Sequence, residues 1–382
     1  CALPILISEY LNSGRSIPYP EQSRSFEGAL TDAFESGVFE NVWHCDIRSL
    51  YPSILLAGGR NPARDSAGAF MRLLATLRDF RLLAKDEAKK SSQQELREFY
   101  DALQSTFKIL INSFYGYLGF AQGCFNDYAL AAAVTATGRE ILGSMTDFLR
   151  KVEAKVIEID TDGIYFQPPQ GVNSPEEMQK KIQGILPQGI DVELDNIYKS
   201  MFCYKSKNYA LLNMNDEVSV TGAALKSRGL EPFQREYMGK FIERLLKKDY
   251  SGIRKLSEEY RKMISSRQMP LAKFAKTETL QESVESYSRK LSDGSGRRSA
   301  AYELAMKANR RYKQGDQIAY YVNGNKKNVS VVDNSRLLKD APEIRDENTE
   351  YYLAKFDEME KKFSIFIPEN EKSMKQEEDL FV

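Results

Sequence analysis

The sequence predicts an α+β fold, on three observations. "NVWHCD" (Asn41 to Asp46) and "VIEIDTDGIYF" (Val156 to Phe166) are β-prone runs. Three long segments with apolar residues at helical spacing separate them. The second run is interrupted by Asp162-Gly163, the dipeptide of a tight hairpin turn, so its halves pair antiparallel.

Asn41 to Asp46 reads as a short buried strand, and "GGRNPARDSAG" breaks the pattern as a loop soon after "SLYPSILLA". "AFMRLLATLRDFRLLAKDEAKK" follows, with Phe70, Leu73, Leu74 and Leu77 at the spacing of an amphipathic helix. Ser92 and Glu95 have the spacing of a capping box that opens a second helix. In that helix Leu96, Tyr100, Leu103, Phe107, Leu110 and Phe114 form an apolar stripe, and the short polar turn before it makes the pair an antiparallel hairpin. A third, Ala-rich helix is expected from near Asp127 to about Arg150. The strand hairpin after it puts Asp160 and Asp162 at or beside its tip. "PENEKSMKQEEDLFV", at the C-terminus, is charged and has no periodic apolar face, the pattern of a disordered tail.

A chain of 382 residues is long enough for a sizeable core and more than one lobe. No stretch approaches the roughly 20 apolar residues of a membrane span, and no basic-then-apolar export signal stands at the N-terminus, so the cytoplasm is the expected compartment. Cys1, Cys45, Cys124 and Cys203 are scattered, and His44 is the only histidine. Zinc ribbons, iron–sulfur centres and a histidine-based triad are thereby disfavoured, and any metal must be held by oxygen. Lys and Arg together number 54, as do Asp and Glu, so there is no overall basic coat. The basic residues nevertheless gather at Arg72 to Lys90, Lys240 to Lys262 and Arg297 to Lys313, as solvated helix faces or as local phosphate-binding surfaces.

A tight turn accounts for one aspartate in "DTDG" but not for two. Like charges this close repel, and a divalent cation shared with a third carboxylate relieves the repulsion. The best candidate for that third group is Asp46, at the end of its strand.

"DIRSLYPSILL" resembles motif A of the family B DNA polymerases, "KILINSFYGYLG" motif B and "EIDTDGIYF" motif C, in the family's order. "FEGALTDAFESGVFENV" resembles the segment that joins the exonuclease and polymerase halves, "YKSKNYALL" the lysine-x-tyrosine element, and "TGAALKSRGLEPFQRE" the approach to the thumb. The resemblance covers nearly the whole chain and implies a right-hand polymerase fold: an antiparallel-sheet palm, helical-hairpin fingers and a mainly helical thumb. The expected boundaries are 1–67 for the lead-in and first palm segment, 68–125 for the fingers, 126–228 for the second palm segment, 229–366 for the thumb and 367–382 for the tail. The implied activity is template-directed, two-metal nucleotidyl transfer from a dNTP to a primer 3′-hydroxyl, with Mg2+ as cofactor and Mn2+ as a possible substitute. Asp46 and Asp162 would hold the metals, and Asp160 would be their less directly coordinated neighbour. Ser49, Leu50, Tyr51, Arg81, Lys85, Lys108, Asn112 and Tyr115 would bind the nucleotide. Tyr51 would stack under the sugar and exclude a ribose 2′-hydroxyl. Lys108, Asn112 and Tyr115 share one helix face, as Arg81 and Lys85 do on the preceding helix. Lys207, Tyr209 and Arg228 would meet primer–template DNA.

The chain departs from the family pattern in places. Cys1 to Val42 is too short for the exonuclease domain usual ahead of motif A and has no Asp-x-Glu on an apolar strand, so the chain is expected not to proofread by itself. It starts at Cys1 without methionine, which leaves a fragment, a processed half or a splicing product open, with an exonuclease-bearing N-terminal half as a partner. Thr221 stands where many relatives have lysine, which weakens one DNA contact; DTDG in place of DTDS raises no doubt about catalysis. "QEEDLF" resembles the peptide by which bacterial polymerases dock on a sliding clamp, with Gln376, Leu380 and Phe381 as its anchors. Two other classes remain open: a catalytically silent relative that binds primer–template DNA as a scaffold, and a two-metal nuclease.

Overall fold

The computed structural model describes residues 3–226 and 229–373. The chain divides into two compact units, one with the residues up to Lys199 and Lys205–Lys207, the other with Ser200–Tyr204 and the residues from Asn208 onward. That division falls within the β-strand Val192–Lys205. Among the described residues no helix is long and apolar enough to cross a membrane.

The first unit contains α1 (Leu3–Asn12), β1 (Thr31–Ala33), β2 (Gly37–Ile47), α2 (Leu50–Gly58), α3 (Ala69–Lys90), α4 (Gln94–Leu118), α5 (Tyr128–Lys151), β3 (Lys155–Asp160), β4 (Gly163–Gln167), α6 (Pro175–Gln183) and the first half of β5 (Val192–Lys205). Its strand order is β1-β3-β4-β2-β5, and β1–β3, β3–β4 and β2–β4 are antiparallel. Alternation along β2 sends Trp43, Cys45 and Ile47 into the core and leaves His44 and Asp46 on the opposite face. The core side is closed by α5, whose Leu130, Ala131, Val134, Ile141, Leu142, Met145 and Leu149 join Ile54 and Leu55 of α2. The α5 start is the expected one: Asp127 caps it by accepting the Leu130 N–H at 2.8 Å.

The α3–α4 pair forms as the periodicity predicts, but one helix was not expected and two local expectations need correction. "SLYPSILLA", which carried no helix prediction, forms α2: Pro52 sits in the first turn, where its missing N–H is harmless. The Ser92–Glu95 capping box does not form. Ser91 and Gln93 are extended, the turn uses Ser92 as its middle residue, and α4 opens one residue later at Gln94, without a side-chain cap bond. The α4 stripe is buried only at its C-terminal end, at Phe114 with Ile111 and Leu118, while Leu96 is 44% exposed. Within the hairpin the two helices also pack on each other, as where Phe80 meets Phe107.

The second unit pairs β6 (Asn208–Asn213) antiparallel with β7 (Val218–Thr221) and continues through α7 (Ala223–Lys226), α8 (Pro232–Leu246), α9 (Tyr250–Ser265) and α10 (Leu271–Phe274). A three-stranded antiparallel sheet of β8 (Lys276–Thr279), β9 (Gln317–Val322) and β10 (Ser335–Leu337) follows, with α11 (Val284–Ser292) and α12 (Ala300–Lys307) inserted after β8. Helices α13 (Thr349–Phe363) and α14 (Glu369–Ser373) complete the unit. Its centre is aromatic: Tyr237 packs on Phe356 and Tyr260, and Phe233 on Phe274 and Tyr352. The Ser200 hydroxyl donates to the Leu246 carbonyl, which ties the second half of β5 to α8 and draws the β6–β7 hairpin in with the helices.

Candidate functional site

Strand register assembles the acidic centre. Gly163 of β4 faces Asp46 of β2 on one side and Asp160 of β3 on the other. Asp162 lies between β3 and β4, its N–H donating to the Asp160 carbonyl at 2.8 Å and its carbonyl accepting the Ile47 N–H at 2.9 Å. The three carboxylates picked out from the sequence therefore arrive at one end of one sheet. The turn is strained: Thr161, β-branched, sits at φ 68°, in the left-handed region that such residues avoid at a cost on the order of 1–3 kcal/mol. Gly163 is required by close approach, because a Cβ there would lie 2.4 Å from His44 Nε2 and 3.1 Å from the Cys45 carbonyl oxygen.

Burial pushes the Asp162 carboxyl above its ordinary range and the charge of Asp160 adds to this, while His44 and Lys108 pull in the opposite direction. A carboxylate so placed gains from added positive charge. Among the described residues no cluster of three or more His, Cys, Asp or Glu side chains forms a closed metal cage. An open site of two carboxylates is what a hard cation that keeps water and substrate oxygens requires, so the donor set fits a magnesium-like ion.

The α3–α4 hairpin and α2 supply the neighbouring groups. Lys108 and Asn112 are exposed on α4, whereas Tyr115, one turn on, is half-buried and stacks on Tyr51 with ring centroids 4.3 Å apart. Burial and the neighbouring Tyr115 push the Tyr51 hydroxyl up to about 12, so it remains a neutral donor at physiological pH. Gly138 of α5 makes room for this ring: a Cβ there would be 3.2 Å from Tyr51 Cε1. Arg81 donates to the Ser49 hydroxyl at 2.9 Å. Its Nε is buried with no hydrogen-bond partner, and burial followed by Arg48 lowers its proton affinity, against the pull of Glu193. Lys85 pairs with Glu193 at 3.2 Å, and Arg48 contacts the same carboxylate. Ser49 caps α2 from a left-handed conformation, φ 49°. The Leu50 side chain is buried in the core, so a nucleotide at this point would meet its backbone.

Lys207 lies at the β5–β6 turn, in the first unit, with φ 58°. Its N–H donates to Glu158 Oε1 at 2.6 Å, and its Nζ reaches Thr161 Oγ1 at 2.9 Å and Asp160 at 3.6 Å. Tyr209 is almost fully buried in β6, opposite Thr221, which leaves its ring little surface to offer a duplex. Arg228, Gln376, Leu380 and Phe381 lie outside the described residues.

Sequence reasoning missed His44, Glu158 and the two partners of the predicted Lys85, Arg48 and Glu193. For Arg48 a signal existed, since it stands two residues after Asp46. Glu193 lies 108 residues from Lys85 and no local pattern links them.

Residues 59–359 match the family model described as DNA polymerase family B. The match begins after Asp46, so the placing of that carboxylate rests on strand register. The chain is 29% identical to DNA polymerase 1 of Pyrococcus abyssi over 251 residues, 58% of this chain and 32% of that protein. It is 27% identical to a DNA polymerase of Thermococcus gorgonarius over 293 residues, 69% of this chain and 38% of the relative. With a DNA polymerase of Archaeoglobus fulgidus it shares 30% identity over 266 residues, 64% of this chain and 34% of the relative. It spans about a third of the length of these curated relatives. Its fold is similar to that of the family B DNA polymerase from the hyperthermophilic archaeon Pyrobaculum calidifontis, with a TM-score of 0.74 at 19% identity, over 96% of this chain and 50% of that one.

Proposed function

Because the chain belongs to DNA polymerase family B, we propose that it extends a DNA primer by template-directed nucleotidyl transfer, and that the sheet end with Asp46 and Asp162 is where the transfer takes place. The observation that carries this reading is the Asp46–Gly163 pairing, which joins two carboxylates from distant parts of the chain at one point. Asp46 and Asp162 would hold divalent cations, two by this reading, with magnesium the natural ion and manganese a substitute. When bound, these ions supply a positive clamp on the attacking and leaving oxygens of an in-line displacement; polymerases are among the handful of enzyme classes for which that role is a general expectation.

The chain's own residues do the rest. Lys108 and Asn112, exposed one turn apart on α4, and the Arg81 guanidinium present donors to a triphosphate. Ser49 orients Arg81, and Glu193 holds Lys85 and Arg48 beside it. The Tyr51 ring, braced by Tyr115, would form the floor under the incoming sugar and leave no room for a 2′-hydroxyl. DNA enters as a partner through backbone contacts that carry no sequence information, as copying any template requires.

A silent scaffold would not need the carboxylates together with the triphosphate-facing cations, and a nuclease would not need the latter. We also propose that the chain by itself lacks proofreading and acts in the cytoplasm, at the nucleoid. The test is primer extension with Mg2+. Asp46→Ala or Asp162→Ala should abolish extension while primer–template affinity stays within about threefold of wild type. Extension by either variant at a near wild-type rate would refute the assignment.

A further inference from the structure

The lysine at the β5–β6 turn is tied to the acidic hairpin, and we propose that Lys207 and Glu158 together form a latch that positions the Asp160–Asp162 turn for the transfer step. This role rests on the polymerase reading above and differs from a direct hold on DNA. Glu158 is fully buried in β3, two residues before Asp160. Its Oε1 accepts the main-chain N–H of Lys207, and that bond fixes a residue whose left-handed φ of 58° is uncommon outside glycine. A backbone so fixed aims the side chain back at the hairpin, where Nζ donates to Thr161 Oγ1 at 2.9 Å and lies 3.6 Å from Asp160. Thr161 is itself left-handed, at φ 68°. Two unfavourable turns are thus braced against each other, and strained conformations persist only where surroundings over-determine them. All four residues belong to the first unit.

The latch makes Lys207 and Glu158 positioning residues. Loss of the brace lets Thr161 relax towards ordinary backbone angles and carries the Asp162 carbonyl away from the Ile47 N–H that it accepts across the turn. The effect falls on the rate of the step and not on the binding of substrate.

The experiment compares wild type with Lys207→Met, Lys207→Arg, Glu158→Gln and Glu158→Ala by single-turnover primer extension, dNTP titration and primer–template binding at two salt concentrations. Lys207→Met should lose roughly thirtyfold or more in rate with dNTP KM and DNA Kd within about twofold, and Lys207→Arg, which keeps a charged donor, should recover most of it. Glu158→Gln keeps the acceptor oxygen and should stay within a few-fold of wild type, whereas Glu158→Ala should match Lys207→Met. Weaker DNA binding with a shallower salt dependence and an unchanged rate in Lys207→Met would overturn the latch and make Lys207 a phosphate contact. Glu158→Ala removes a buried group, so amide hydrogen exchange of residues 159–163 in Lys207→Met, which alters a half-exposed side chain, gives an independent reading. Faster exchange there supports the latch, and unchanged exchange refutes it. If the wild-type chain extends no primer, the polymerase reading fails and the exchange result alone judges the latch.

Discussion

Gly163→Ala perturbs the one residue that faces both Asp46 and Asp160. The new methyl group would arrive 2.4 Å from His44 Nε2, about 1 Å inside ordinary contact, and 3.1 Å from the Cys45 carbonyl oxygen. An imidazole edge could swing aside cheaply if the ring were loose. Here it is stacked on Tyr165, with centroids 4.3 Å apart and planes inclined by 25°, so either that stack breaks or β2 shifts against β4. Overpacking of this kind costs about 1–3 kcal/mol, which for a unit of this size corresponds to a Tm fall of roughly 5 °C. A carboxylate displaced by about 1 Å at the reacting centre costs on the order of a hundredfold in rate. The assay is a double-mutant cycle of Gly163→Ala, His44→Ala and the double variant, read by thermal unfolding and by single-turnover primer extension. Removing the ring should make the added methyl far less costly, with a coupling of at least about 1 kcal/mol. A small residual cost from the Cys45 carbonyl should persist. If Gly163→Ala alone leaves Tm and rate unchanged, or if the two substitutions are additive, the ring contact does not set the spacing of the strands that carry Asp46 and Asp162.

Tyr51→Ala should raise ribonucleotide incorporation roughly tenfold or more relative to deoxynucleotide incorporation; equal discrimination in a competition assay removes the ring from the sugar-sensing role. In the second unit, hydrogen bonds from Lys240 and Lys273 hold the Glu236 carboxyl at about 2, below its ordinary 4.5. A depressed carboxyl stabilises the fold above the unfolded value and loses that contribution as pH falls through the folded one. Glu236→Gln should therefore lower Tm at pH 7, with a deficit that shrinks between pH 4.5 and 2, and a deficit independent of pH would refute the ion-pair account. Deleting 376–382 should leave extension of short primers unchanged and remove stimulation by a cognate sliding clamp; equal stimulation of both chains would show that the tail is not the docking peptide.

The parts of the fold that were legible in the sequence are those written with a period. The α3–α4 pair, the capped start of α5 and a tight β3–β4 hairpin each come from a local pattern and each forms, although the hairpin turns at Thr161-Asp162, one residue before the Asp-Gly pair that signalled it, and Gly163 is the first residue of β4. Asp46 was legible because it is a lone carboxylate at the end of a short β-prone run, Asn41 to Asp46. Helix α2 was not, because Tyr51, Pro52 and Ile54 in close succession read as readily as an extended run. Neither was the β8-β9-β10 sheet, whose strands lie far apart in sequence among short helices. The polar ties were the least legible: Glu158 reads as a strand residue on any periodicity, and its partner Lys207 is 49 residues away.

The pairing of β2 with β4 also bears on how the chain folds. Cys45 and Ile164 meet across 119 residues, and the whole α3–α4 hairpin and α5 lie between them. Helices and their hairpin form locally and fast, whereas closing a strand pair over so long a loop is slow and non-local. The acidic centre is therefore not assembled until β2 and β4 have paired. Recovery of catalysis during refolding would lag recovery of helical circular dichroism, and the interval between them would time the closure of one strand pair.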